Sequence, residues 1–149
     1  MKGGIKTNMK SEITSIMIKE HKVIEGLLDE FEKAHNKESL HTKTVFDAFV
    51  WNLEKHILLE EKILSCVCSA WNLNADGMFE ILKDHGDIML LVKRIKISPT
   101  DSSNILLLKE FLKDHFTLEE TFLYPNLEKV LNGEQKEFLI TRAQEIIRA

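Results

Sequence analysis

Four long stretches of this chain carry apolar residues at alternating steps of three and four, the period of a helix that buries one stripe against its neighbours. The stripes read Met17, His21, Ile24, Leu28, Phe31, then Phe49, Leu53, His56, Glu60, Ile63, Val67, then Met78, Leu82, His85, Met89, Val92, and finally Leu108, Leu112, His115, Glu119, Phe122. Each is interrupted by a histidine, and the second and fourth by a glutamate one turn further on. A chain that places four histidines and two carboxylates where a core should be apolar is constrained to bring them together.

Turn signals at Asn36 to Ser39, Asn74 to Gly77, Ser98 to Ser103 and Asn132-Gly133 separate the stretches. They predict helices over about 10–35, 40–71, 76–97 and 102–131, with a shorter fifth at about 134–148. Residues 1–9 read as a flexible arm, leaving 10–149 as one metal-binding domain. Short connections make neighbouring helices antiparallel, so the expected fold is all-α: an up-down four-helix bundle with a short C-terminal fifth helix. In such a bundle, residues near the helix midpoints share a layer. His21, His56, His85 and His115 all sit there.

Composition agrees with this fold and narrows the function. A domain of this length buries roughly 68–70% of the surface its unfolded chain exposes, enough for a core with a site inside it. Six Gly and two Pro leave few breaks for strands, and the net charge of −4 offers no basic stripe for nucleic acid. No apolar run is long enough to span a bilayer, and the polar start MKGGIKTNMK lacks the apolar middle of a signal peptide. Cys66 and Cys68, two apart on a helix, diverge rather than pair. The expectation is a cytoplasmic protein without a membrane or nucleic-acid partner.

His56-x-x-x-Glu60 and His115-x-x-x-Glu119 each put an imidazole and a carboxylate one turn apart on one face. A single buried histidine is usually satisfied by an ordinary hydrogen bond. Six such groups in one layer are another matter, because burying carboxylates without a partner is among the costliest things a fold can do. Four nitrogens and two carboxylates exceed what one tetrahedral zinc needs. They suit two metals if both carboxylates bridge them, with positions left for an oxo or hydroxo group, water or a small gas. The thiolate-free donor set favours iron or manganese over structural zinc, and geometry alone leaves zinc open.

In their order, His, His-x-x-x-Glu, His, His-x-x-x-Glu, these residues resemble the hemerythrin-like HHE cation-binding proteins. The resemblance covers roughly residues 10–148 and includes HILLEEKIL around the first pair and HFTLEETFLYPNLEKVL around the second. It implies that His21, His56, His85 and His115 are terminal ligands of two iron ions bridged by Glu60 and Glu119, and that the centre takes a diatomic ligand such as oxygen or nitric oxide. The chain departs from oxygen-carrying hemerythrins, which place two histidines one turn apart on the third helix. Here Ile81 and Met89 flank a lone His85, and water or Glu25 is left to fill the place.

Other residues read more plainly. Glu61 and Glu120 lie about 100° off the core face, as solvated acids or outer supports of the site. Asp84 and Asp114, each directly before a candidate ligand histidine, read as surface or as acids that orient neighbouring groups. His41 and the Glu32-x-x-His35 pair read as surface, and Trp51 and Trp71 as packing. Pro125 should break or kink the fourth helix. Tyr124 beside it either hydrogen-bonds near the metals or closes the core. The cysteines read as structural. The absence of any other catalytic motif favours a binding or sensing module, with a di-iron enzyme acting in iron-centre repair or in nitric oxide or peroxide reduction as the alternative.

Overall fold

The computed structural model describes residues 12–35, 37, 39–71 and 77–149, excluding the side chains of residues 12, 66 and 67. The arm expected over 1–9, the turn signals at Asn36 and Asn74 and the side chain of Cys66 lie outside the described residues. Every described element is a helix: α1 (Glu12–Ala34), α2 (Leu40–Leu58), α3 (Cys66–Ala70), α4 (Met78–Ile97), α5 (Ser102–Leu118), α6 (Tyr124–Val130) and α7 (Gly133–Arg148). Two π-helical segments, π1 (Leu59–Ser65) and π2 (Glu119–Leu123), join α2 to α3 and α5 to α6, so that five rods result. Among the described residues no helix is long and apolar enough to cross a membrane.

The rods begin where local chemistry caps them. Ser39 accepts from the Thr42 amide, and the Thr42 hydroxyl meets the carbonyls of Ala34 and Lys37, fastening the end of α1 to the start of α2. Asp101 caps α5, and Asn132 with Gln135 forms a reciprocal capping box on α7. Gly77 precedes α4 at φ 86°, where a Cβ would also stand 2.9 Å from the Phe122 ring, so both backbone and space require glycine.

The core comes in two apolar clusters. The first holds Ile24, Leu28 and Phe31 of α1, Val45 to Leu53 of α2, Ile88 to Ile95 of α4, and Ile105 to Phe116 of α5. The second holds Ile13 and Met17, then Leu59 and Leu64, then Ile81, then Leu123, Tyr124 and Leu127, with Leu139 and Ala143 of α7. The four long rods therefore alternate: α1 and α4 run from the second cluster to the first, while the α2 and α5 rods run from the first to the second. His21, His56, Glu60, His85, His115 and Glu119 are all buried, and along each rod they lie between residues of the two clusters.

Several inward positions differ from the sequence reading. A π-turn adds a residue to the helical turn and rotates everything after it. Leu123, not Phe122, is therefore buried in the fourth rod, and Leu64 is buried where Ile63 is only half so. In α4 the buried stripe is Ile81, His85, Ile88, Val92, Ile95, with Met78, Leu82 and Met89 at its margins. Trp51 is exposed rather than packed, whereas Trp71 meets Phe138 edge-on. Pro125 does not end the rod: it falls in the first turn of α6, just after π2, where a missing amide is tolerated.

Candidate metal centre

The buried donors form two groups: His21, His56, Glu60 and Glu119, and Glu60, His85, His115 and Glu119. Within each, one donor atom per residue lies within 4.8 Å of all the others. The two groups share both carboxylates, and each carboxylate divides its oxygens between them. Glu119 Oε1 is 2.9 Å from His21 Nε2 and 3.5 Å from His56 Nε2, while its Oε2 is 3.0 Å from His115 Nε2. Glu60 Oε2 lies 3.4 Å from His56 Nε2, and its Oε1 lies 2.9 Å from His85 Nε2.

The histidines are oriented from behind. Glu120 faces Nδ1 of His21 at 2.6 Å, Glu61 faces Nδ1 of His85 at 2.9 Å, and Asp84 faces Nδ1 of His115 at 3.1 Å. A carboxylate only accepts, so each Nδ1 carries a proton, and the Nε2 that faces the inner carboxylates is the atom left to bind a metal. Each acid comes from a different rod than the histidine it holds. Asp84 thus takes the orienting role rather than the surface one, and it acts on a histidine remote in the chain. His56 is the exception, since its buried Nδ1 has no hydrogen-bond partner.

Lone pairs converging on two shared carboxylates need cations between them. The Nε2 atoms of His21 and His56 are only 3.1 Å apart, a spacing that two lone pairs do not adopt without a proton or a metal. On the other side of the centre, Glu119 Oε2 faces His115 Nε2 at 3.0 Å. Without metal, protons supply the positive charge. Burial alone would lower the His56 pKa, but Glu60 and Glu119 outweigh it and raise it to about 10. His115 moves up for the same reason: burial opposes, and Glu119 with Glu60 and Asp84 prevails. Glu119 is held well below the usual carboxylate range, its burial overcome by hydrogen bonding to Glu60 and the histidines.

Two aromatic rings close the layer. Phe116 stacks on His21 with ring centroids 3.8 Å apart, and it meets His56 edge-on. Its position directly after His115 gave no sign of this contact beyond an apolar residue four after Leu112. From the other cluster, the Tyr124 hydroxyl reaches Glu60 Oε2 at 2.5 Å and Glu119 Oε1 at 2.9 Å. Burial first, and then the two carboxylates, raise its pKa well above that of an ordinary phenol. Tyr124 therefore belongs to the site.

The remaining candidates stay outside it. Glu25 belongs to neither donor group and lines a surface cleft with Lys109 and Lys113, because Ile24 and Leu28 take the inward positions of that turn. His41 pairs with Glu30 in solvent, and His35 closes on the Glu32 carbonyl. Cys68 is buried, which pushes its thiol pKa up. Comparison of the chain with family models, with curated proteins and with solved structures gives no match.

Proposed function

We propose that this is a hemerythrin-like, non-haem di-iron protein, an antiparallel up-down four-helix bundle that binds a diatomic ligand such as oxygen or nitric oxide in the cytoplasm. One observation carries the reading: two four-donor groups share two carboxylates, each of which turns one oxygen to either group. His21 and His56 would hold one ion, His85 and His115 the other, with Glu60 and Glu119 between them. The alternating passage of four rods between two apolar clusters supports the bundle topology. A pair of irons supplies reversible ligand binding and electron transfer at open coordination positions.

The chain's own contribution is to hold and isolate that pair. Glu120, Glu61 and Asp84 keep three imidazoles in the tautomer that ligates, and Phe116 and the two clusters keep bulk water from the donors. Loading the chain anaerobically with ferrous iron should give two irons per chain, and admitting oxygen should produce charge-transfer bands that reverse on its removal. Irreversible bleaching with turnover of peroxide or nitric oxide would instead favour the enzyme reading.

A further inference from the structure

Tyr124 makes the two halves of the centre unlike. Its hydroxyl oxygen lies 2.5 Å from Glu60 Oε2, 2.9 Å from Glu119 Oε1, 3.2 Å from His21 Nε2 and 3.5 Å from His56 Nε2. Those four residues are the whole of the first donor group. A tyrosine that merely plugged a core would need one acceptor for its proton. This one is fully buried and places its oxygen among four donor atoms that already converge.

The backbone accounts for that aim. Tyr124 is five residues after Glu119, and on an α-helix it would point about 140° away from it. π2 lies between them, and the Tyr124 amide donates to the Glu119 carbonyl, closing a five-residue turn. The wider turn brings position 124 back onto the face that carries the ligand, which gives the π-segment a purpose. Nothing equivalent faces the second group, since no described tyrosine or further acid reaches His85 Nε2 or His115 Nε2 beyond Glu60 and Glu119.

We propose that Tyr124 is the fifth protein donor to the ion held by His21 and His56, binding it through its phenolate oxygen. The ion held by His85 and His115 is then the one left open to an external ligand. The inference rests on reading the site as a paired metal centre. As the oxygen–metal bond forms, the phenolic O–H bond breaks and its proton leaves to solvent, as protons do from other ligands on metal binding. No electron is transferred in this step.

The chain contains a single tyrosine, so any tyrosinate signal is Tyr124. Metal-stripped protein would be loaded anaerobically with ferrous iron, oxidised with ferricyanide, and examined by visible absorption and resonance Raman scattering beside an iron count. The expected result is a phenolate-to-iron band whose excitation enhances ring modes, with those modes shifting in protein made with ring-deuterated tyrosine. Tyr124→Phe should lose the band and keep both irons. Two irons without phenolate modes in the parent, or a band that survives in Tyr124→Phe, overturns the assignment and leaves the paired centre standing. One iron with phenolate modes does the reverse, and no iron uptake overturns both. Should Tyr124→Phe fail to fold, the isotope shift in the parent decides alone.

Discussion

Without metal, His56 stands as an imidazolium between Glu60 and Glu119, its pKa raised to about 10 in the folded chain against the usual 6.5 when unfolded. Below pH 6.5 both states hold the proton, and the full stabilisation is present. Between the two values only the folded state holds it, so unfolding releases a proton and stability falls as pH rises. At about 1.36 kcal/mol per pH unit the window amounts to about 4–5 kcal/mol, a large share of a small domain's total. His115 shifts in the same direction and adds to it.

Urea unfolding of chelator-treated protein at steps between pH 6 and about 10 reads this directly through the midpoint. His56→Gln should flatten most of the profile. A metal-free parent whose stability varied by less than about 1 kcal/mol across the window would refute the claim that protons occupy the place of the metal. The same proton must leave when iron binds. Apparent ferrous affinity should therefore climb by about tenfold per pH unit towards pH 10.

Glu119→Gln removes the charge that both donor groups share, and should reduce bound iron from two per chain to one or none by elemental analysis. Retention of two would show that Glu119 does not bridge. Asp84→Asn leaves every inner donor in place but weakens the grip on His115 Nδ1, and should cost roughly 10–100-fold in metal affinity measured by chelator competition. Phe116→Ala should destabilise the fold by about 3–5 kcal/mol in denaturant titration, through the cavity it leaves against His21, and an unchanged midpoint would remove Phe116 from the account.

The helices were legible in the sequence because α-periodicity is a local property, and the inward faces of α1, α2 and α5 followed it as far as the histidines. In α4 the pattern chose Met78, Leu82 and Met89 where Ile81, Ile88 and Ile95 are the buried positions. Met17 to Phe31 kept its register throughout. Beyond Glu60 and Glu119 the α-rule misplaced Phe122 and Ile63, since nothing in a heptad pattern announces a π-turn. The sequence left Tyr124 either near the metals or closing the core, and the π-turn is what brings its hydroxyl to Glu60 and Glu119. Glu61, Glu120 and Asp84 were readable as outer supports at best, and which histidine each one holds stayed hidden for another reason. Glu120 holds His21 across 99 positions and Asp84 holds His115 across 31, so no spacing within one helix could reveal either.

Charge explains why those outer acids are worth their place. Two inner carboxylates balance only half the charge of two divalent ions, and a layer walled by two apolar clusters leaves the remainder poorly solvated. Glu61, Glu120 and Asp84 each sit one imidazole away, partly exposed, and deliver negative charge through the ring without burying another carboxylate. His56 lacks such a relay, and it is the histidine whose half of the centre contains Tyr124. A phenolate there supplies from inside the layer the charge that its missing outer acid does not. The orphaned nitrogen and the buried tyrosine are thus two sides of one electrostatic arrangement, in which removing Tyr124 should weaken the first metal position more than the second.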